Sequence, residues 1–331
     1  MKTIRLSLAL TRQDFSRAIL DGSVQPDGVE FIPTVLNASE MYWRQLRFGD
    51  FDVSEMSLSS LFIASAQGDR TWTALPVFTM RKFFHTRMLV RSDAGIRTPA
   101  DLRGKRVGVP EYQQTAAVWC RGVLQHEFGV EPREIDWFME RNADRSHGAA
   151  TGFVAPQGVR ITPIAPASSI GKMLLEGSLD ATLLYLKAGN LVDRSAVDLS
   201  ATGSVRLLFP DPQAEGRRYH AKTGLYPINH VVVMRTRLLE QHPWMALNIY
   251  SAFTAAREAA IAARKAAVLP LLETGLLAAD AAQAFDHDPM PYGISGAARE
   301  LQAIIQYQHE QGLTARPVAL DELFARSTLD L

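Results

Sequence analysis

The sequence has almost no cysteine and no excess of either charge. Its 331 residues include one cysteine, Cys120, so an intrachain disulfide is excluded and nothing indicates an oxidising compartment. The 35 lysines and arginines balance the 35 aspartates and glutamates, whereas a nucleic-acid-binding protein usually carries a basic excess. We therefore set nucleic acid aside as a partner. Cys120 lies in an apolar helical stretch, and we interpret it as a small buried side chain.

Long apolar runs are also missing. The run from Leu6 to Leu10 contains Ser7 and is shorter than the roughly 7–15 residues of a secretory signal. No stretch approaches the roughly 20 apolar residues of a membrane helix. We therefore expect a cytoplasmic protein without a membrane partner, and we interpret the first apolar run as a β-strand.

Motifs for common cofactors are absent too. The segment 104–108 (Gly-Lys-Arg-Val-Gly) lacks the spacing of a P-loop or of a dinucleotide-binding fingerprint. The sequence contains no His-Glu-x-x-His, no cysteine pair for zinc and no Gly-x-Ser-x-Gly elbow. Asp286-His287-Asp288 is short and loop-bound, so we interpret it as solvated. No cofactor is expected to be required.

What the sequence does contain is an alternation of strand-like and helix-like segments from its start, which predicts an α/β protein. A polar, turn-rich segment at 92–99 precedes a second block of the same pattern. We predict a first lobe from residues 1–97 plus 223–331 and an inserted second lobe from residues 98–222. Segments near 91–98 and 223–230 would form the hinge, and ligands favour the cleft between such lobes.

Three further segments have definite predictions. The alanine-rich run 252–268 predicts a helix. Thr115 to Phe128 predicts an amphipathic helix closed by Gly129. The segment 141–157, which contains several glycines and a proline, predicts an irregular surface loop.

Two predicted helix starts carry polar residues. Glu55 lies at the end of a strand, and Ser57, Ser59 and Ser60 follow it, where they cap the next helix and leave N–H groups free for an anion. The alternative is a simple N-cap with a solvated Glu55. In the second lobe, Glu111, Tyr112, Gln113 and Thr115 lie between a strand and a helix, which is a weak signal alone. One helix start from each lobe would suit a ligand with two negative groups.

The remaining candidates are cationic. Arg81 and His85 lie between two strands, where a bidentate arginine would hold a carboxylate, and the alternative is a charged hairpin turn. His230 lies at the edge of an apolar strand and at the predicted hinge; it is either a functional group or a hydrogen-bonded core residue. We assign no role to the histidines in polar or helical surface contexts: His126, His147, His220, His242 and His309.

Several of these segments together resemble the 4,5-dihydroxyphthalate decarboxylase family. The matching stretches run in order along nearly the whole chain. They are residues 51–60, Pro76-Val77-Phe78 with Arg81 and His85, residues 104–113 with Thr115-Ala116, Thr223-Gly224 with Tyr226-Pro227-Ile228 and His230, Pro291-Tyr292-Gly293, and residues 309–313. The chain departs from the family pattern at Phe84, where an arginine is common, and at Gln114, where a methionine is common.

The resemblance implies a two-lobed fold like that of type 2 periplasmic binding proteins. It also implies non-oxidative decarboxylation of a hydroxylated aromatic acid, with 4,5-dihydroxyphthalate giving protocatechuate and CO2. For this reaction we predict Glu55, His85 and His230 as catalytic residues, with Glu55 or His85 as the proton donor and His230 deprotonating or holding the phenol. The implied substrate-binding residues are Ser57, Ser59, Ser60, Arg81, Glu111, Tyr112, Gln113, Thr115 and Tyr292.

Two alternatives stay open at this point, and a third is disfavoured. A divalent metal held by Glu55, His85 and His230 would suit two imidazoles and a carboxylate. A non-catalytic binding protein for a small aromatic or carboxylate ligand would use the same fold. An enzyme related to thiamine pyrimidine synthesis would be expected to carry a cysteine-rich segment, which one cysteine cannot supply. A homo-oligomer is compatible with all of these.

Overall fold

The structure is a computed structural model that describes residues 3–187, 189–286 and 288–331. The strands are β1 (Ile4–Leu10), β2 (Val29–Val35), β3 (Val53–Ser57), β4 (Trp72–Arg81), β5 (Leu89–Arg91), β6 (Arg106–Val109), β7 (Asp136–Met139), β8 (Arg160–Pro163), β9 (Ala181–Thr182), β10 (Val205–Leu207) and β11 (Ile228–Arg235). The helices are α1 (Asp14–Leu20), α2 (Ala38–Phe48), α3 (Leu58–Ala66), α4 (Thr115–Phe128), α5 (His147–Thr151), α6 (Ile170–Glu176), α7 (Pro212–Thr223), α8 (Thr236–Gln241), α9 (Met245–Glu273) and α10 (Ala298–Glu310).

One sheet joins early strands to a strand from much later in the chain. Its order is β2-β1-β3-β11-β4, with β1 parallel to β2 and β3, and β11 antiparallel to β3 and β4. Strand β11 is buried along almost its whole length. A strand covered on both faces must be apolar on both, and the Val231-Val232-Val233 run meets that requirement. The strand nevertheless buries two polar side chains, Asn229 and His230.

The second sheet has the order β10-β5-β9-β6-β7-β8. Strands β6, β7 and β8 are parallel, and the short β5 is antiparallel to β9 and β10. The predicted boundary at 97/98 assigns Leu89–Arg91 to the first lobe, whereas these residues pair within the second sheet. The first passage between the sheets therefore lies at residues 82–88, ahead of the predicted hinge at 91–98. The full lobe boundaries stay a prediction.

The chain segments that leave the parallel strands converge on one cleft. Thr11 follows β1 and Asn37 follows β2, while Glu111 and Arg141 follow β6 and β7. In open α/β sheets ligands bind outside the carboxyl ends of the strands. Both sheets thus supply loop residues to the cleft.

Helix α4 ties the two sheets together. The Trp119 indole Nε1 donates a hydrogen bond of 2.8 Å to the carbonyl of Ile228 in β11. A Cβ atom on Gly122 would lie 2.2 Å from the ring of Tyr307, so glycine is what allows α4 to pack against α10. Cys120 is fully buried, as predicted.

The sequence predictions for individual segments have mixed outcomes. Helix α9 contains the predicted alanine-rich helix, and α4 has the predicted bounds with Gly129 in the left-handed conformation. The surface loop predicted for 141–157 is wrong, because it contains α5 and because Arg141 and His147 are buried. None of the helices within the described ranges has both the length and the apolar character that crossing a membrane would require.

Candidate active site

A cavity of about 300 Å³, here called the cleft cavity, lies between the two sheets. From the side of the first sheet it is lined by Asn37, Ala38, Ser39, Tyr42, Ser57, Met80, Phe84, Asn229 and His230. From the side of the second sheet it is lined by Gln114, Thr115, Ala116, Arg141, His147, Tyr185, Leu186, Lys187 and Asp193. Its walls are mixed, with aromatic and aliphatic side chains beside amides, hydroxyls and imidazoles.

Glu55 and His230 form a pair because of strand register. In the β3–β11 ladder His230 is opposite Ser57, and Val232 is opposite Glu55. Side chains two residues apart share a face of a sheet, so Glu55 and His230 are diagonal neighbours. The Nδ1 atom of His230 lies 3.1 Å from Oε2 of Glu55. The β4–β11 register shifts on both sides of His230, and such bulges re-aim side chains near active sites.

The Glu55 carboxylate is fully buried beneath His230 and does not line the cleft cavity. It accepts hydrogen bonds from the Thr11 N–H (2.6 Å), the Thr11 hydroxyl (2.7 Å) and the Thr79 hydroxyl (2.7 Å). Burial alone would raise the pKa of Glu55, but the hydrogen bonds and the charge of His230 outweigh it and hold that pKa below its usual value. Glu55 is therefore a carboxylate that orients the imidazole and leaves its Nε2 atom free of protein partners within the described residues.

A second carboxylate–imidazole pair lies on the other side of the cleft cavity. Nδ1 of His147 lies 3.2 Å from Oε2 of Glu111, and the backbone N–H of His147 donates to Oε1 of the same carboxylate (2.6 Å). Arg141 also donates to Glu111 (2.9 Å). The Arg141 guanidinium further donates to Asp193 (2.8 and 2.9 Å) and to the Ser39 hydroxyl (2.6 Å). The last bond joins the two sides of the cleft.

Electrostatics distinguish this second pair. Burial lowers the pKa of His147, and the Arg141 cation adds to that effect, although Glu111 opposes it. The pKa of Arg141 is raised, because Glu111 and Asp193 together outweigh burial. For Glu111, burial would raise the pKa, but His147 and Arg141 outweigh it and the pKa is lowered. Burial and the Arg141 cation thus disfavour the protonated form of His147, which lies next to an ion pair.

Helix starts supply free N–H groups at the cleft cavity. The backbone N–H groups of Thr115 and Ala116 open α4, and that of Ala38 opens α2; none of them donates to another described residue. All three residues line the cleft cavity. Free N–H groups and the helix dipole make such ends suitable for an anion.

Three oxygen atoms of residues on the cavity wall are buried without a partner among the described residues: those of the Tyr42 hydroxyl, the Gln114 amide and the Asn229 amide. Burial, followed by the Glu55 charge, raises the pKa of Tyr42 well above its usual value, so its hydroxyl stays protonated. Buried polar atoms without partners cost free energy. A polar ligand would remove that cost.

The residues of the predicted anion site, at 57–60 and 113–115, have different surroundings in the structure. Ser57 and Thr115 line the cleft cavity, and their hydroxyls lie 2.9 Å apart. The Ser59 hydroxyl instead donates to the Gln113 carbonyl (2.6 Å), and the Ser60 hydroxyl is buried without a described partner. Thr115 also accepts from the Ser59 N–H (2.9 Å). These serines mainly join α3 to the start of α4.

Several residues predicted to bind substrate lie away from the cleft cavity. The Gln113 amide donates to Glu111 (3.1 Å). The Tyr112 ring packs under Arg121, with the guanidinium carbon 3.6 Å from the ring centroid. Tyr292 is buried in the core beside Arg257. Glu111 does not line the cleft cavity, but it contacts His147 and Arg141, which do.

Arg81 does not face the cleft, contrary to prediction. Its guanidinium is buried and donates to Glu300 (2.8 Å) and to the Pro291 carbonyl (2.8 Å). Burial lowers the pKa of Arg81, and Glu300 opposes that effect. A guanidinium that is already paired with a carboxylate is not available to bind a substrate.

His85 is likewise separated from Glu55 and His230. Its Nε2 atom lies 3.3 Å from Glu215, and its ring packs against Phe209 and Tyr219. His85 does not line the cleft cavity. Within the described ranges no group of three or more His, Cys, Asp or Glu side chains is placed to hold a metal ion. The suggested ligand set of Glu55, His85 and His230 is therefore not assembled. His287 of the Asp286–Asp288 segment lies outside the described residues.

Sequence reasoning missed Tyr42, Arg141 and His147. His147 and Arg141 lie in the segment that was predicted to be a surface loop. Tyr42 lies in α2, where an aromatic side chain is expected to be part of the apolar face. A usable signal exists only for Arg141, which follows a strand end just as Glu111 does. Phe84 and Gln114, the two departures from the family pattern, both line the cleft cavity.

The fold has counterparts among solved structures. The aliphatic sulphonate binding protein SsuA of Escherichia coli matches with a TM-score of 0.53 and 15% identity over 100% of both chains. The alkanesulfonate-binding protein SsuA of Xanthomonas axonopodis pv. citri, bound to MOPS, matches with a TM-score of 0.53 and 15% identity over 98% of this chain and 99% of that chain. The chain is therefore an α/β protein of the two-lobed, periplasmic-binding-protein-like class.

Sequence comparison narrows this class. No family model matches the chain. The 4,5-dihydroxyphthalate decarboxylase of Comamonas testosteroni is 32% identical over 335 residues, covering 100% of this chain and 99% of the relative. The 4,5-dihydroxyphthalate decarboxylase of Pseudomonas putida is 36% identical over 183 residues, covering 55% of this chain and 71% of the relative. The chain belongs to the 4,5-dihydroxyphthalate decarboxylase family, and the resemblance seen in its motifs is confirmed.

Proposed function

We propose that the chain is a decarboxylase that releases CO2 from a hydroxylated aromatic acid, with 4,5-dihydroxyphthalate as the first substrate to test. The observation that carries the proposal is the His230 imidazole on the cavity wall, held at Nδ1 by the buried Glu55 carboxylate and free at Nε2. Two relatives named for this activity support it.

The reaction needs one proton at a ring carbon. In 4,5-dihydroxyphthalate each carboxylate has a hydroxyl in the para position. Protonation of the carboxylate-bearing carbon breaks aromaticity, while the para oxygen donates electrons into the ring. The carbon–carboxylate bond then breaks, CO2 leaves, and the bonding electrons restore the aromatic ring. The enzyme must supply an acid at that carbon and an acceptor for the phenolic hydrogen.

We assign the acid to His230, protonated on Nε2. Glu55 holds Nδ1–H, fixes the direction of the ring and stabilises the imidazolium. Glu55 itself is ionised and lies behind the imidazole, so the proposal gives it a positioning role in place of proton donation. His85 has no part in the proposal, because it pairs with Glu215.

The other cavity groups match the rest of such a substrate. Met80, Phe84 and Leu186 offer apolar surface for a ring. The free amide oxygens of Gln114 and Asn229 are acceptors for phenolic O–H groups. The free N–H groups of Thr115 and Ala116 suit a carboxylate, and Lys187 adds a cation to the wall. A neutral chain with no global field would bind a dianion through such local donors.

The test is CO2 release from a panel of hydroxylated benzoates and phthalates, run in D2O. We expect turnover of a substrate with a para hydroxyl, no turnover of phthalate itself, and one deuterium at the carbon that lost CO2. His230→Gln should abolish most of the turnover, and His242→Gln, outside the cleft cavity, is the matched control. Turnover by His230→Gln at the wild-type rate would refute the assignment of the acid.

A second candidate function is non-catalytic binding of an aromatic or carboxylate ligand. It is favoured by the free N–H groups at the helix starts, which would hold an anion without any chemistry. Saturable binding of the panel compounds by the wild type, with no CO2 released from any of them, would favour this alternative.

A further inference from the structure

A second concave site lies on the other side of the segment that carries Phe84. A cavity of about 420 Å³, here called the basic pocket, is lined by Lys82, Arg87, Arg217 and His220, with Phe83 and Tyr226 as its aromatic wall. None of the described residues that line it is acidic. It draws on the chain segment between β4 and β5 and on helix α7.

The cations of the basic pocket are exposed and unpaired, unlike the buried and paired Arg81 and Arg141. Arg81 is paired with Glu300, and Arg141 is paired with Glu111 and Asp193. Lys82, Arg87, Arg217 and His220 make no ion pair with any other described residue. Partial burial, and after it the Arg87 charge, lowers the pKa of Lys82. These exposed basic side chains line one open cavity, so an anion bound there would meet several of them at once.

The aromatic wall adds a second requirement on the ligand. The rings of Phe83 and Tyr226 lie 4.8 Å apart between centroids and are tilted by 34°. Gly216 lets α7 pack closely against this wall, because a Cβ atom there would lie 3.0 Å from the Phe83 ring. A planar apolar group can pack on this wall while an attached carboxylate meets the cations.

We infer that the basic pocket is a second ligand site, distinct from the cleft cavity, for a small aromatic carboxylate anion. The two sites share the segment 82–87. The Lys82 ammonium lies 5.0 Å from the centroid of the Phe84 ring, and Phe84 lines the cleft cavity. An anion bound to Lys82 thus contacts a segment that forms part of the cavity wall.

The test uses benzoate as the probe and backbone amide signals in two-dimensional NMR as the readout. Gly216 lines the basic pocket, and Ala116 lines the cleft cavity, so their amides report the two sites separately. We expect a saturable shift of the Gly216 amide with benzoate and a much weaker one with uncharged methyl benzoate.

Gln213→Glu is the decisive variant. Gln213 lines the basic pocket in the first turn of α7, where a negative side chain stabilises the helix, so the variant should fold. Its carboxylate would neutralise the cations and repel benzoate, lowering the affinity reported by Gly216 by about tenfold or more. Arg87→Ala with Arg217→Ala should have the same effect.

Two controls match these variants. Gln302→Glu makes the same charge change on the exposed surface of α10, and Arg237→Ala with Lys265→Ala removes two exposed cations elsewhere. Both should keep the wild-type affinity at Gly216. The inference is overturned if benzoate produces no saturable Gly216 shift, if methyl benzoate binds equally well, or if Gln213→Glu and Gln302→Glu give the same affinity. The Ala116 response is independent of these outcomes, so the proposed function can fail while this site stands.

Discussion

The two carboxylate–imidazole pairs of the cleft cavity use the same residue types for different purposes. Glu55 is held by the neutral donors of Thr11 and Thr79, and His230 keeps one ring nitrogen free. Glu111 is held by a permanent cation, Arg141, and the Nε2 atom of His147 lies 3.4 Å from that same arginine. A carboxylate that also binds an arginine stabilises a neighbouring imidazolium less than one that binds only neutral donors. The chemistry of each histidine therefore depends on the other groups that its carboxylate binds.

The Tyr42 ring makes the comparison direct, since it lies between the two pairs. Its centroid is 5.0 Å from that of His230 and 5.8 Å from that of His147, with edge-on geometry in both cases. Both imidazoles therefore contact the Tyr42 ring and line the cleft cavity. We attribute the proposed difference in reactivity to the charges behind them.

The largest expected effect concerns turnover. His230→Gln should lower kcat for CO2 release by roughly 10²–10⁴, the scale of general acid catalysis, whereas His147→Gln should lower it by less than about tenfold. The measurement is steady-state kinetics with substrate binding determined separately. Equal losses in the two variants would remove the distinction between the pairs.

The next effect concerns stability. Glu111→Gln leaves the buried Arg141 with one carboxylate fewer and should lower the free energy of unfolding by about 3 kcal/mol. Glu55→Gln keeps acceptors for neutral hydroxyl donors and should cost less, about 1.5 kcal/mol. Urea unfolding of both variants checks this order: the loss of unfolding free energy must be larger for Glu111→Gln than for Glu55→Gln.

A third prediction concerns pH. The pKa of His147 in the folded protein is lowered, so the unfolded chain binds its proton more readily. The stability contribution of His147 is therefore complete above about pH 6.5 and is lost as the pH falls below that value. Between pH 7.5 and 5.5 the urea midpoint of the wild type should fall more than that of His147→Gln. The lowered pKa of Glu111 acts in the same direction, but only at more acidic pH.

The smallest effect concerns Tyr42. Its buried hydroxyl has no partner among the described residues, so Tyr42→Phe should raise the free energy of unfolding by up to about 1 kcal/mol. The same variant should weaken binding of a hydroxylated ligand to the cleft cavity. Urea unfolding and ligand titration on one preparation test both statements. A clear loss of stability would mean that the hydroxyl has a structural partner after all.

Arg81 shows how far the sequence could lead. Its position between two strands and within a family motif is visible in the sequence, and both suggested a clamp for a carboxylate. The structure pairs it with Glu300, which is 219 positions away along the chain. His85 was likewise predicted to be in the cleft, but the structure places it next to Glu215. Residue type and motif selected these side chains as candidates, but could not indicate which carboxylate each would meet.

The sequence by itself determined the alternating α/β pattern, the helix from Thr115 to Phe128 and the family. These rest on local periodicity, on capping residues and on motifs, all of which are properties of neighbouring residues. Tertiary structure alone decided which charged groups pair, which side chains line the cleft cavity, and that Arg141 and His147 are buried within it. Coulombic and hydrogen-bond energies depend on distance in space, and the fold brings together groups as far apart in the chain as Glu55 and His230, or Ser39 and Arg141.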